Sequence, residues 1–288
     1  MSTPKDDPWL YTISSKHKLI DLNLQEIWRY RDLLMLFVKR DIVTVYKQTI
    51  LGPLWFIIQP LFTSVIFTLI FNNLGQIQTG SVPPFLFNLA GITAWSYFKE
   101  CLTGTSGTFT RNQNIFGKVY FPRVIMPLSI TISNLLKFGI QLGVFICFYV
   151  YYASQGNVLG LNTTVLLFPV YVLMMALLGL GLGMIISSMT TKYRDLTVLV
   201  GFGVQLLMYM SAVPYPVSEA KLKFPVSVVP FVEYNPLTQI IEGFRFMLLG
   251  VGHFNSVGFL YTLAISFIVF ILGLVIFNKT EKSFIDTV

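Results

Sequence analysis

The stretch QTILGPLWFIIQPLFTSVIFTLIFNNLGQIQTGSVPPFLFNLAGITAWSYF (48–98) decides the fold class, because no Asp, Glu, Lys or Arg interrupts it. A bilayer-spanning helix needs about 20 mainly apolar residues. Residues 48–98 hold enough for two such helices around a Pro- and Gly-containing turn. Three further charge-free runs follow: 138–191, 196–218 and 246–278, the last broken only by His253. Together the four runs exceed half of the 288 residues. A soluble protein of this size cannot keep so much sequence uncharged and stay dispersed.

Composition agrees. Charged residues make up 11% and the hydrophobic set 54%, against about 25% and 45–50% in soluble domains. These values exclude a disordered chain, a nucleic-acid-binding domain and an ordinary soluble enzyme. The net charge of +7 reads as a membrane-orientation signal and not as an attraction to anionic polymers. Residues 1–25 are polar and lack the basic start and apolar core of a cleaved signal.

The reading is an all-α integral membrane protein with six spans, at about 54–74, 85–109, 124–152, 163–189, 197–214 and 256–277. The second span is unusual. Its second half, KECLTGTSGTFT (99–110), is too polar to face lipid and must face protein or a water-filled path. Fifteen of the 20 basic residues fall in the termini and the even-numbered loops, and three fall in the long loop 215–255. Both termini are therefore expected to be cytoplasmic.

Before the first span, Ile27, Tyr30, Leu34, Phe37, Val38, Ile42 and Val45 recur at steps of three or four. That pattern predicts an amphipathic interfacial helix over about 24–46, with Trp28 as anchor. A short seventh span is the alternative. Residues 1–53 are taken as a cytoplasmic N-terminal segment and 54–288 as the transmembrane domain. Between the fifth and sixth spans, five prolines in 213–236 forbid one continuous helix. The stretch PLTQIIEGFRFMLLG (236–250) then starts on Pro236 and can stop at Gly250. It is too short and too charged to cross, and reads as a re-entrant helix.

Catalytic and nucleotide-binding motifs are missing. There is no GxxxxGK[ST], GxSxG or HExxH. The chain is not expected to hydrolyse ATP, to be an enzyme or to hold a metal or cofactor. Gly179, Gly181 and Gly183 sit inside an apolar span, where close helix packing is the ordinary meaning. Cys101 and Cys147 fall within spans and read as small buried residues.

Four segments, LGPLWFIIQP (51–60), KVYFPRVIMP (118–127), YRDL (193–196) and YNPLTQIIEGFR (234–245), resemble the membrane subunits of bacterial type-2 ABC exporters for polysaccharides and polyol phosphates. That family includes O-antigen, teichoic acid and capsule exporters. The resemblance covers roughly residues 20–280. It implies a homodimer in the bacterial cytoplasmic membrane, paired with two copies of a separate ATPase subunit that binds ATP and Mg. It also implies a coupling helix at about 112–120, giving Asn112, Asn114, Ile115, Phe116, Gly117, Lys118, Val119 and Tyr120 as ATPase contacts. Arg194 and Asp195 in the next cytoplasmic loop join them. The outer gate helices map to about 215–249 and include Tyr215, Pro216, Glu242 and Arg245. One departure stands out: Lys99-Glu100 replaces a usually Ser-rich position.

The implied cargo is a lipid-linked glycan. Sugar hydroxyls require a polar route, and aromatic rings suit sugar faces. Trp55, Trp95, Tyr97, Lys99, Glu100, Thr103, Ser106 and Tyr209 are the candidates for that route. For the small polar residues of the second span, dimer packing is the alternative. Arg29, Arg31, Lys39 and Arg40 are candidates for the lipid-phosphate entrance, or simply attract anionic headgroups. Lys137 is expected to pair with Glu100. Glu242 and Arg245 share a helix face, as a gate latch or as a surface pair. Two other functions remain open: a small-lipid or drug exporter of the same fold, and a membrane-embedded transferase.

Overall fold

A computed structural model of the chain describes residues 24–47, 51–116, 118–119, 121–157, 160, 162–193, 195–252 and 254–285. Gly117, Tyr120 and Arg194 therefore lie outside the described residues. Among those described there are helices and turns but no strands. In chain order they are α1 (Leu24–Arg29), α2 (Arg31–Lys47), α3 (Trp55–Phe67), α4 (Pro84–Ser106), α5 (Thr108–Arg111), α6 (Gln113–Phe116) and α7 (Ile125–Ser154). Then follow α8 (Phe168–Thr190), α9 (Leu196–Met210), α10 (Val217–Lys223), α11 (Val229–Glu233), α12 (Pro236–Leu249) and α13 (Ser256–Ile285).

Each predicted span has a helix over nearly the same residues. Among the described residues, four segments are long and apolar enough to cross a bilayer: Gly52–Leu74, Ile125–Ser154, Thr163–Thr190 and Ser256–Glu281. The other two differ for separate reasons. Helix α9 is apolar but only 15 residues long, or about 22 Å against a hydrocarbon core of about 30 Å. Helix α4 has 23 residues, but its polar half removes it from the apolar set.

That polar helix is the centre of the molecule. Helices α3, α7, α8, α9 and α12 all pack against α4, and every residue from Leu86 to Phe98 is buried. Several of its polar side chains find partners within protein, as burial favours, while Thr105 Oγ1 is buried with no hydrogen-bond partner among the described residues. Asn88 Nδ2 donates to Asn72 Oδ1 at 2.9 Å and to Thr68 Oγ1 at 3.1 Å. Thr93 Oγ1 donates to the Leu89 carbonyl. Asn72 and Thr68 belong to the π-helical turn Thr68–Leu74 that prolongs α3.

The glycine run in α8 explains how the helices come so close. A Cβ on Gly179 would stand 2.7 Å from Cys101 Cβ, and one on Gly183 would stand 2.6 Å from Thr105 Cβ. On the opposite side, a Cβ on Gly181 would meet the Val269 carbonyl oxygen at 2.7 Å. Alternate small residues thus let α4 and α13 approach α8 from two sides. Cys101 is buried in this contact, as expected, but Cys147 is exposed on α7. The expectation fails for Cys147 because α7 turns one stripe away from the bundle.

The amphipathic N-terminal segment also forms, as α1 and α2 with a break at Tyr30. Phe37 and Val38 are buried, and Ile27, Tyr30 and Leu34 are partly buried, as the periodicity requires. This face packs on protein, with α2 against α7 and Phe37 5.7 Å from Phe121. Trp28, Met35 and Leu36 remain exposed.

Candidate functional site

Helices α4 and α7 place Glu100 beside Lys137, the expected pair. Lys137 Nζ donates to Glu100 Oε2 at 3.2 Å, and Lys99 Nζ stands 3.5 Å from the other oxygen, Oε1. Lys137 also lies 5.3 Å from the centroid of the Phe56 ring on α3. An ammonium held between a carboxylate and an aromatic face is favourable when partly desolvated. One carboxylate thus serves two lysines.

This cluster lies where two cavities meet. The first, of about 510 Å³, is lined by Arg40, Asp41, Thr103, Arg111, Asn134 and Lys137, among others. The second, of about 290 Å³, is lined by Trp55, Gln59, Trp95, Lys99, Gln141 and Gln205, among others. Phe56, Glu100 and Lys137 belong to both. The first cavity reaches Asn112, between α5 and α6, and the second reaches Ile92, two turns before Lys99 on α4. They form a polar groove along α4, interrupted by the ion cluster.

Of the predicted route residues, Trp55, Trp95, Lys99, Glu100 and Thr103 line this groove. Three do not. Tyr97 is buried against Phe138, with ring centroids 5.1 Å apart. Ser106 accepts on its backbone carbonyl from Thr190 Oγ1, and Tyr209 lies beside Phe67 and Phe71. The sequence reading missed Phe56, Gln59, Arg111, Asn134, Gln141 and Gln205. The four amides, Gln59, Asn134, Gln141 and Gln205, are polar residues inside predicted spans, which was a usable signal.

The four predicted phosphate-entrance cations separate likewise. Arg40 lines the first cavity, but Asp41 Oδ1 accepts from its Nε and Nη2 at 2.9 and 2.7 Å. Arg31 stands 3.9 Å from Asp32 and 5.7 Å from the Trp28 ring centroid. Arg29 and Lys39 are exposed and line neither cavity.

At the other end of α4 lies a second constellation. Asn235 caps α12, its Oδ1 accepting from Leu237 N at 3.0 Å. Gly250 ends the helix in the left-handed conformation, φ 71°. Between these ends, Arg245 is fully buried. Its Nη1 donates to the carbonyls of Ala212 at 2.8 Å and Tyr215 at 3.5 Å, and its Nη2 to that of Val213. Glu242 Oε1 completes the pair at 3.3 Å. The surface-pair alternative for Glu242 and Arg245 is therefore overturned, because the guanidinium has gone inward to satisfy three turn carbonyls. Tyr215 is buried too. Its hydroxyl donates to the Tyr209 carbonyl, and burial pushes its pKa up to about 12. Pro216, the N-cap of α10, is half-buried.

The profile of the ABC-2 type transporter family matches residues 32–249. The chain belongs to the ABC-2 type transporter family. It is accordingly a multi-pass membrane subunit of a transporter, not an enzyme, and works with a separate ATPase subunit. Three curated relatives agree. Two proteins of Klebsiella pneumoniae named O-antigen export system permease protein RfbA are 29% identical over 257 residues and 27% identical over 256. Each alignment covers 88% of this chain and 94% of the relative. A protein of the same name from Myxococcus xanthus is 25% identical over 222 residues, covering 77% and 82%.

The residues expected to contact the ATPase lie in two segments, about 112–120 and 194–195. Phe116, one of those residues, is enclosed within this chain. It is buried, with its ring 6.0 Å from Phe109 and 5.8 Å from Phe121. Arg123 covers it at 5.2 Å and reaches Glu281 at the end of α13, with Nη1 3.1 Å from the backbone carbonyl. Burial lowers the Arg123 pKa from its usual value and Glu281 partly offsets this. Ile115 and Asn112 are half-buried, while Asn114, Lys118 and Val119 are exposed. In the next loop, Asp195 is exposed, next to the exposed Lys192 and Tyr193.

Proposed function

We propose that the chain is the permease of an exporter that moves a lipid-linked polysaccharide of the O-antigen kind from the inner to the outer leaflet of a bacterial cytoplasmic membrane. Two copies of the chain act with two copies of an ATPase subunit, which binds ATP and Mg. Near-complete alignment with proteins named O-antigen export permeases carries this reading. The polar groove along α4 supports it, since amides, hydroxyls and indoles at one level of the bundle suit a hydroxyl-rich polymer.

In this reading the chain crosses six times with both termini cytoplasmic. The α4 and α9 helices complete the set because protein neighbours, and not lipid, surround α4. Helices α1 and α2 lie at the inner interface, with Trp28, Met35 and Leu36 toward the headgroups. The α10–α12 segment forms the outer gate, with α12 re-entrant. The exposed residues Asn114, Lys118 and Val119, with Asp195, take up motion from the ATPase, and Phe116 transmits it to α13 through Phe109 and Phe277, stacked at 4.5 Å.

The test is reconstitution. Permease and cognate ATPase in vesicles should move a fluorescent lipid-linked glycan outward only with ATP and both subunits. Transfer by the permease without the ATPase, or ATP turnover that the glycan never stimulates or that moves no glycan, would defeat the reading.

A further inference from the structure

The groove carries a charge surplus that its own residues leave uncompensated. Its two cavities are lined by four cations, Arg40, Lys99, Arg111 and Lys137, and by two carboxylates, Asp41 and Glu100. Asp41 answers Arg40 through two hydrogen bonds. Glu100 alone answers both lysines. Arg111 has no carboxylate within ion-pair distance among the described residues. Charge at membrane depth is costly and marks function by default. Each lysine has three donors, and Glu100 accepts one hydrogen bond, from Lys137.

A second observation points to a ligand. Gln141 lines the second cavity, is only 8% exposed, and its buried Oε1 has no hydrogen-bond partner. A buried acceptor without a donor is costly to keep. A hydroxyl arriving in the cavity would supply that donor. The lysines ask for an oxyanion and Gln141 for a hydroxyl, in the same cavity.

We propose that Lys99, Glu100 and Lys137 form a binding station for a phosphate attached to a sugar. The phosphate takes the place of the Glu100 carboxylate on Lys137, Lys99 provides the second ammonium, and a neighbouring sugar hydroxyl donates to Gln141. Arg111 draws the anion into the first cavity. Glu100 is then the resident anion that keeps the empty site neutral enough to persist. The station rests on the exporter reading above, and deepens it by naming the group recognised inside the bundle.

The experiment is equilibrium binding to the permease–ATPase complex in lipid nanodiscs. The probes are radiolabelled polyprenyl-diphosphate-linked N-acetylglucosamine of short chain length, and glucose 1-phosphate. The wild-type complex should bind a probe with an affinity that falls with salt. Lys137→Gln and Lys99→Gln should each weaken it about tenfold, the scale of one charge-assisted hydrogen bond. Glu100→Gln should tighten it several-fold, because no resident carboxylate competes. A structural cluster predicts the opposite sign for that variant, so weakening by Glu100→Gln overturns the proposal, as does the absence of binding of both probes to wild type. The Glu100→Gln, Lys137→Gln double variant removes the ion pair without leaving either partner behind. It should elute as an intact complex and bind weakly, and wild-type affinity in it also overturns the proposal. Binding of the lipid-linked probe alone identifies a membrane-borne phosphate, and equal binding of glucose 1-phosphate a free one. ATP-driven glycan transfer with charge-insensitive binding would remove the station and keep the exporter. Charge-dependent binding without transfer would do the reverse.

Discussion

The guanidinium carbon of Arg245 lies 3.7 Å from the centroid of the Phe87 ring, so a cation on α12 is stacked on an aromatic face of α4. Gly91 is one turn further along the same side of α4, and a Cβ there would collide with the Arg245 Nη2. Phe87 and Gly91 together form the seat of this guanidinium. From it the side chain holds the 212–215 turn that follows α9. One residue thus ties α4, α12 and the 212–215 turn together.

Arg245→Met should lower stability by about 3 kcal/mol, since it leaves three turn carbonyls and Glu242 without their donor in a buried site. Arg245→Lys should recover only part of that loss, because an ammonium cannot serve several carbonyls in the fixed fork of a guanidinium. Thermal unfolding of the detergent-purified protein reports both. A wild-type midpoint in the Met variant would show that the network contributes nothing.

Gly183→Val should be among the most damaging apolar changes. It inserts branched methyl groups where α4 backbone and Thr105 stand under 3 Å from the added Cβ. Overpacking of this kind costs about 1–3 kcal/mol. Gly143, on α7, has open space at its Cβ position, so Gly143→Val is the control and should leave yield and unfolding unchanged.

The two faces of the 112–121 segment should separate. Val119→Glu and Lys118→Glu alter exposed positions, and are expected to reduce recovery of the ATPase on a tagged permease with unfolding unchanged. Phe116→Ala should instead lower stability by about 3–5 kcal/mol through the cavity it opens. Equal loss of stability in all three variants would contradict this separation.

Tyr215 gives a pH signature. Its folded pKa of about 12 exceeds the unfolded value, which is about 10. The folded state therefore keeps a proton that the unfolded state loses, and stability must fall as pH rises between these values. Below pH about 10 the contribution is fully present. Tyr215→Phe removes the titrating group and the bond to the Tyr209 carbonyl. The stability gap between wild type and variant should narrow from pH 10 to 12 in alkaline unfolding.

The sequence alone determined what depends on neighbours along the chain. Charge-free runs located the helices, and the observed Ile125–Ser154 and Ser256–Ile285 begin within one residue of their expected starts. Pro236 and Gly250 bound α12 because ring geometry and positive φ are local properties. The i, i+3 and i, i+4 recurrence in 27–42 identified the buried face of α2 for the same reason. Lys137 could be matched to Glu100 because an intramembrane charge needs an opposite one, and few were on offer.

Tertiary structure decided which way each side chain faces when the local pattern permits two answers. Glu242 and Arg245 have one spacing whether the helix is wet or buried; only the carbonyls of residues 212–215, some 30 positions away, drew the guanidinium inward. Phe116 ends the four-residue helix α6 between two spans, and it took Phe109, Phe121 and Arg123 to enclose it. Cys147 lies within a predicted span like Cys101 but on the uncovered side of its helix. The groove belongs to α2, α3, α4, α5, α7 and α9 at once, and no window of one helix encodes a space between six. Burial and cavities are sums over contacts distant in sequence, which periodicity does not carry.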